Sequence, residues 1–207
     1  MKNASKYADT LKSLQRKLLK EHKPEPKHPL EPLPALVRGV MSFDVSDTKV
    51  AEPMKIIERE FVDLNELRVS TELELQELLG TRYPKIEERV TMIVVALNNI
   101  FEREHTMNLE RLKTISKRDA RQFLREIPEL HPFAEAYTML YAFDAPCFPM
   151  DSETLAFLNE EDIMEEGTSL HDAQKFVEQH VKADDLYDLF AALRRAVYED
   201  GKRKKRR

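Results

Sequence analysis

The chain has 207 residues, of which 42% are hydrophobic and 34% charged, and its formal net charge is −5. This length allows one large domain with a buried core, and the composition is typical of a soluble globular protein. Because the sequence contains no run of about 18 apolar residues, we expect no membrane span and no membrane partner.

Only one cysteine, Cys147, is present, which excludes an intrachain disulfide and a four-iron cluster held by four thiolates. The six histidines are scattered without the spacing of metal ligands. We therefore expect no metal site and no iron–sulfur cofactor. The start of the chain lacks the apolar segment of a signal peptide, so a reducing cytoplasm is the expected location.

Charge is unevenly distributed along the chain. Residues 1–28 carry a net charge of +5 and residues 202–207 carry +6, which leaves −16 for residues 29–201. An acidic body is poorly suited to hold a polyanion. We expect DNA to be bound, if at all, by the basic ends, above all by the six consecutive basic residues Lys202, Arg203, Lys204, Lys205, Arg206 and Arg207.

The N-terminal segment predicts a basic helix with a narrow apolar stripe made of Tyr7, Leu11, Leu14 and Leu18. Five prolines follow between residues 24 and 34 and favour an extended linker. We interpret residues 1–34 as an appendage whose helix either docks loosely on the body or contacts nucleic acid. Residues 35–200 then form the body, and residues 201–207 a basic tail.

The body carries repeated signals for short helices. Thr71 and Glu74 form a capping box, and Gly80 stands where the same helix should end. Ser116 and Ser169 begin two further helices.

The longest helix is expected to begin near Pro84 and to bury an apolar stripe that runs from Ile86 to Phe101. No segment shows the sustained alternation of a β-strand. The predicted fold is all-α, a compact bundle of about ten short helices.

The segment from residue 127 to residue 151 reads IPELHPFAEAYTMLYAFDAPCFPMD. It resembles a motif of the helix-hairpin-helix DNA glycosylase superfamily, endonuclease III in particular, in which L-P-G-V-G-x-K-T-A is followed by a helix and a loop that ends in aspartate. Without a gap, the matching positions are Ile127 and Pro128 on Leu-Pro, Glu129 and His131 on the glycines, Phe133 on the lysine, and Asp151 on the aspartate. The interval from Phe133 to Asp151 equals that of the family.

A second segment, LVRGVMSFDVSD at residues 36–47, resembles the family sequence L-L-S-A-Q-A-T-D. Ser42 and Asp47 match, whereas Asp44 replaces a glutamine that the family places against the opened base pair. We interpret Asp44 as a helix-end cap. The resemblance covers roughly residues 30–195 and implies a glycosylase-like fold and a role in base-excision repair.

In the family, the lysine attacks the sugar and forms a Schiff base, which makes strand cleavage possible. Phe133 has no nucleophile, so lyase chemistry through this position is excluded. The family's glycines let the hairpin backbone approach a phosphate. Glu129 and His131 do not adopt glycine-like conformations readily, and we predict that this phosphate site is lost.

Asp151 has two interpretations. Resemblance implies a catalytic carboxylate that stabilises a positively charged sugar or orients water. The sequence MDSETLAFL also makes it a good N-cap, and a cap alone predicts that Asp151→Asn changes stability little. We therefore expect at most a monofunctional N-glycosylase without lyase activity. The alternative is a non-catalytic helical module that binds nucleic acid or an acidic partner through its basic ends.

Overall fold

In the computed structural model of the protein, residues 4–200 are described, and they form eleven α-helices without a β-strand among them. The all-α prediction is confirmed. In chain order the helices are α1 (Ala4–Glu21), α2 (Pro32–Ser42), α3 (Asp47–Glu60), α4 (Leu64–Val69), α5 (Glu72–Leu79), α6 (Ile86–Glu104), α7 (Lys117–Arg125), α8 (Pro132–Ala142), α9 (Ser152–Glu160), α10 (Leu170–His180) and α11 (Leu186–Arg195). A π-helical turn, Ala196–Asp200, follows α11.

Helix α8 lies at the centre and contributes to two hydrophobic clusters. Its Ala134 and Met139 belong to a first cluster with residues of α2, α3, α5, α6 and α7. Phe133 and Tyr137 belong to a second cluster with residues of α1, α9, α10 and α11. Residues 133–140 of α8 are all buried, as expected for a helix with apolar side chains on opposite faces. Its closest neighbour is α2, where a Cβ on Gly39 would lie 3.1 Å from the Cα of Ala134. Glycine thus permits the close packing of these two helices.

The helix caps predicted from the sequence are confirmed where donor and acceptor lie within one helical turn. The capping box of Thr71 and Glu74 is formed, and Gly80 ends α5 with φ +98°. The side chains of Ser116 and Ser169 accept hydrogen bonds from the backbone three residues ahead. Each of these bonds depends on residues within one turn, which is why the sequence alone predicts them.

The start of α6 differs from the prediction. Pro84 lies before the helix rather than in its first turn, because Lys85 takes a left-handed conformation with φ +51° and the helix begins at Ile86. At the other end, Phe101 is 37% exposed instead of buried. Its ring packs under the guanidinium of Arg68, 4.2 Å from the ring centroid.

The expectation that the N-terminal helix is loosely docked is wrong. Leu11, Leu14 and Leu18 are at most 5% exposed and belong to the second hydrophobic cluster. Their stripe meets α11, so burial of three leucines, each contributing roughly 1.5–3 kcal/mol, fixes α1 to the body. The following segment is also held, since the backbone N–H of Leu30 donates to the carbonyl of Tyr141.

Candidate functional site

Asp151 ends the loop between α8 and α9, and its side chain is completely buried. One carboxylate oxygen, Oδ1, accepts from the backbone N–H of Thr154 at 2.8 Å and caps α9. The other oxygen, Oδ2, accepts from the hydroxyl of Tyr198 at 2.7 Å and from Nη1 of Arg194 at 3.1 Å. Both oxygens are thus engaged by protein donors, and neither faces solvent.

Arg194, near the end of α11, is only 2% exposed. Besides Asp151, its guanidinium donates to Asp47 at 2.8 Å and to the carbonyls of Ser42 and Val45. Burial alone would lower the pKa of Arg194, but the carboxylates of Asp47 and Asp151 raise it above its usual range. The guanidinium is therefore a permanent positive charge that neutralises Asp151.

The C-terminal carbonyls of α2 are also held by side chains from the next part of the chain. Arg89 donates to the carbonyls of Val40 and Phe43, and the Tyr83 hydroxyl donates to that of Met41 at 2.7 Å. Burial raises the pKa of Tyr83 to about 12. Together with Arg194, these donors satisfy the backbone groups that the end of a helix leaves unpaired.

Asp44 lies beyond the end of α2 in a left-handed conformation, with φ +52°. Its Oδ1 accepts from the backbone N–H of Ser152 at 2.8 Å. It thus caps α9, a helix more than one hundred residues further along the chain. With Asp151, two carboxylates lie at the N-terminus of α9, where the helix dipole favours negative charge. The interpretation of Asp44 as a helix-end cap agrees with this geometry.

Phe133, at the position of the family lysine, is 1% exposed. Its ring packs against the rings of Phe43, Tyr137 and Phe190, with centroid distances of 5.7, 6.1 and 6.3 Å. The ring of His131 lies against that of Phe43, 3.7 Å between centroids. Aromatic side chains therefore fill the space beside the hairpin.

The hairpin between α7 and α8 keeps part of the glycine-like geometry. Glu129 adopts φ +60°, so the expectation that this position loses the left-handed conformation is wrong. At His131 the backbone is extended, with φ −64°, and its Nδ1 accepts from the backbone N–H of Phe133 at 3.2 Å. Burial lowers the pKa of His131. The ring is thus neutral near pH 7 and serves as the N-cap of α8.

Tyr198, whose hydroxyl donates to Asp151, is among the residues that line an open cleft of 510 Å³, whereas Asp151 is not. The cleft lies between α1, α9, the N-terminus of α3 and the terminal turn, and Tyr198 forms part of its wall. Basic and acidic side chains both line it, among them Lys17, Lys49, Glu153 and Glu160. The cleft thus reaches Tyr198 but not Asp151 itself.

Cys147 is 2% exposed, and burial raises the pKa of its thiol to about 12. This agrees with its interpretation as a small buried hydrophobic residue. Nearby, the carboxylate of Glu178 accepts from the backbone N–H of Phe148 at 2.9 Å and from Arg121 at 3.3 Å. These bonds hold the loop that leads to Asp151.

Asp151, Asp44, Asp47 and Phe133 were singled out in the sequence, and the structure brings them into one region. Arg194 and Tyr198 were missed, although both follow the helical spacing of four residues from Phe190. A charged residue in an apolar stripe signals a buried partner. The residues expected to bind DNA, 202–207, lie outside the described residues.

The fold matches solved DNA glycosylases. A trapped endonuclease III–DNA covalent intermediate aligns with a TM-score of 0.73 at 11% identity, over 91% of this chain and 85% of that chain. An 8-oxoguanine glycosylase/lyase from Clostridium acetobutylicum in complex with DNA also gives 0.73, at 14% identity, over 99% and 71%. The H. pylori 3-methyladenine DNA glycosylase bound to 1,N6-ethenoadenine gives 0.66 at 17% identity, over 97% and 98%.

The chain has the helix-hairpin-helix DNA glycosylase fold. This confirms the fold that the resemblance of residues 127–151 implied. No protein-family model matches the chain, and no curated protein matches it significantly. Among residues 4–200, no helix is both long and apolar enough to cross a bilayer. At sequence identities of 11–18%, these matches show that the chain shares the glycosylase fold.

Proposed function

We propose that this chain is a degenerate DNA-repair-type protein that keeps the glycosylase fold and contacts DNA but has no lyase activity. Asp151 acts in it as a structural anchor. The observation that carries the proposal is that both oxygens of Asp151 are bonded to Thr154, Arg194 and Tyr198 while the side chain is fully buried.

The chemistry of base removal supports this proposal. A catalytic carboxylate must either face the positive charge that develops on the sugar or orient a water molecule towards it. Here the negative charge of Asp151 is already compensated by the buried guanidinium of Arg194 at 3.1 Å. Such a pair leaves little negative potential for a sugar cation, and both oxygens already accept from protein donors.

A second candidate function is that of a monofunctional N-glycosylase, which uses Asp151 to release a base without cutting the strand. The position of the cleft favours it, because Tyr198 both lines the cleft and donates to the carboxylate. Activity would require the Tyr198 hydroxyl to leave Oδ2 of Asp151 and the ring to swing into the cleft. The hydrogen bond that opposes this movement contributes roughly 1.5–3 kcal/mol, since its acceptor is charged.

A third possibility, the non-catalytic module that binds through its basic ends, shares the DNA contact with the main proposal. They differ in the partner, since the module would equally accept an acidic protein. Operation without a metal or iron–sulfur cluster and a cytoplasmic location, both of which are expectations from the sequence, are parts of the proposal.

Base release from duplex DNA tests the proposal. Duplexes with 8-oxoguanine opposite cytosine and with 1,N6-ethenoadenine are suitable, because one structural neighbour is in complex with DNA that contains the former pair and another is bound to 1,N6-ethenoadenine. Abasic products are converted to strand breaks by alkali. We expect no release by the wild type.

Two variants give the assay its controls. Asp151→Asn separates catalysis from folding when circular dichroism shows that it is folded, and Tyr198→Phe removes the bond that closes the site. Release by the wild type that is lost in folded Asp151→Asn would replace the proposal with the monofunctional glycosylase. Release that appears only in Tyr198→Phe would show that Asp151 is competent but closed off.

A further inference from the structure

Residues 23–31, which join α1 to α2, contain neither helix nor strand and have the sequence KPEPKHPLE. Proline fixes φ at about −65° and confines the residue before it to extended conformations. Every residue of this segment except Lys27 and Leu30 is either a proline or followed by one. Glu31, the last of them, has φ −66° and ψ 147°, as in a polyproline II helix. We call residues 23–31 the strap.

Burial along the strap repeats every three residues, which is the repeat of a polyproline II helix. Pro24, Lys27 and Leu30 are half-buried and form the edge that faces the body. The other two edges are exposed, one made of Lys23, Pro26 and Pro29 and the other of Glu25, His28 and Glu31. The strap therefore presents two of its three edges to solvent.

The strap is fixed to the body at several points along its length. Nη1 of Arg195 donates to the backbone carbonyl of its first residue at 3.2 Å. Further along, the ammonium of Lys27 pairs with Asp144, and the backbone N–H of Leu30 donates to the carbonyl of Tyr141 at 3.2 Å. The two residues that no proline constrains are thus held by contacts with the body. A partner would meet a segment that is already ordered, so the entropy cost of binding it would be small.

We propose that the two open edges of the strap are a docking site for a protein domain that binds polyproline II helices. Such domains hold a P-x-x-P segment in a groove lined with aromatic rings. Pro26 and Pro29 have this spacing, and both are exposed. Glu25 and His28, which precede them, lie on the adjacent open edge, so a groove can cover both dipeptides. The docking site goes beyond the function proposed above and does not depend on it.

Lys23 lies on the same open edge, one turn before Pro26, and completes the pattern K-x-x-P-x-x-P. One turn of a polyproline II helix advances about 9 Å, so the lysine marks one end of the proline pair. Its side chain is exposed and forms no ion pair with residues 4–200. A groove with a carboxylate at the matching end would bind the strap in one orientation. The partner is therefore a domain with an aromatic groove and an acidic end.

The contacts that the open edges make with the body are weak enough for a partner to replace them. Glu25 pairs with Arg195 at 3.2 Å, and Glu31 pairs with Lys113 at 3.1 Å. Both carboxylates are exposed, and surface pairs of this kind contribute little. The half-buried edge keeps its own bonds to the body when the open edges are covered. Docking therefore requires no rearrangement of the fold.

Fluorescence anisotropy with the labelled full chain tests the proposal. The probes are a panel of purified Src-homology 3 domains, which bind P-x-x-P segments, chosen for ligands with a basic residue three positions before the first proline. The test variant carries Pro26→Ala and Pro29→Ala. The control variant carries Pro34→Ala and Pro128→Ala, which removes two prolines that are exposed outside the strap. A third variant, Lys23→Gln, removes the charge and keeps the prolines, and thermal melting confirms that all three variants fold.

We expect the wild type and the control variant to bind at least one of these domains equally well. The test variant should bind it roughly tenfold or more weakly, because the residues that fill the centre of an interface carry most of the binding energy. Lys23→Gln should weaken binding roughly threefold or more at low salt, and this difference should shrink as salt rises. Equal affinity of the test and control variants would overturn the proposal, as would a wild type that binds no domain of the panel. A wild type that instead binds a nucleic acid through Lys23 would overturn it as well.

Discussion

The variant Asp151→Asn distinguishes two roles of Asp151. The residue acts either only as the N-cap of α9 or also as a buried acceptor that holds Arg194 and Tyr198. Asparagine caps helices about as well as aspartate, so a cap alone predicts almost no change in the free energy of unfolding. In the structure, however, Asp151 accepts on both oxygens, from Thr154 on one side and from Arg194 and Tyr198 on the other. An amide has only one oxygen to offer.

The magnitude follows from these bonds. If the amide oxygen of the Asp151→Asn variant faces Thr154, its NH₂ group faces two donors, Arg194 and Tyr198; if the amide is flipped, the cap is lost. A buried donor without an acceptor costs about 1–3 kcal/mol. Breaking a buried ion pair costs about 3–5 kcal/mol, but here Arg194 keeps Asp47 at 2.8 Å and two carbonyls. We expect a loss of about 2–4 kcal/mol.

A matched control is available in Asp63, the N-cap of α4. Its single oxygen Oδ1 accepts from the backbone N–H groups of Asn65 and Glu66, both at 2.9 Å, and the residue is exposed. The amide of Asp63→Asn keeps both bonds and turns its NH₂ to water. We expect this variant to lose less than about 0.5 kcal/mol.

Urea unfolding and thermal melting, each followed by circular dichroism, measure the stability of both variants. For a chain of this size, a loss of about 2–4 kcal/mol lowers Tm by roughly 5–15 °C. Equal stability of Asp151→Asn and Asp63→Asn would refute the anchor, since it would mean that Arg194 and Tyr198 contribute nothing to holding Asp151. A large loss confined to Asp151→Asn supports it.

Three further results are expected. Borohydride should trap no covalent adduct with abasic-site DNA, because Phe133 stands in place of the lysine; a trapped adduct would reveal another reactive amine. Cys147 should not react with a disulfide reagent at about pH 8 in the folded protein, because burial raises its pKa to about 12; rapid reaction would show an open loop. Burial also raises the pKa of Tyr83 and of Tyr137 to about 12. The stability that their neutral forms contribute is fully present below about pH 10 and lost as pH rises from about 10 to 12, and unchanged stability over that range would contradict their burial.

Features confined to a few neighbouring residues could be predicted from the sequence. The caps at Thr71, Ser116 and Ser169 are of this kind, because donor and acceptor lie in one turn. The fold class followed from apolar spacing, and the glycosylase fold from one motif with its interval to Asp151.

Long-range contacts could not be predicted. The stripe of α1 is visible in the sequence, but nothing in it shows that α11 is its partner, so the pattern alone predicts an appendage. Likewise, the left-handed φ of +60° at Glu129 reflects the hairpin that joins α7 and α8, and outweighs the preference of glutamate for other conformations.

The role of Asp151 depends on one such long-range contact, its ion pair with Arg194. Asp151 and Arg194 are 43 residues apart, and their pairing decides whether the carboxylate is free. The sequence did hold a clue: Arg194 follows Phe190 by four residues and so falls on the apolar side of α11. An arginine there requires a buried acceptor.

The apolar side chain at position 133 and the pairing of Asp151 are compatible with each other. The guanidinium of Arg194 lies 6.0 Å from the centre of the Phe133 ring. A charged lysine at position 133 would meet it at a similar distance, and two positive charges about 6 Å apart repel by about 3 kcal/mol at an effective dielectric constant of about 20. An apolar ring avoids this repulsion and fills the space. Beside the buried Arg194, a lysine at position 133 would therefore cost stability, whereas the Phe133 ring is compatible with the Arg194–Asp151 pair.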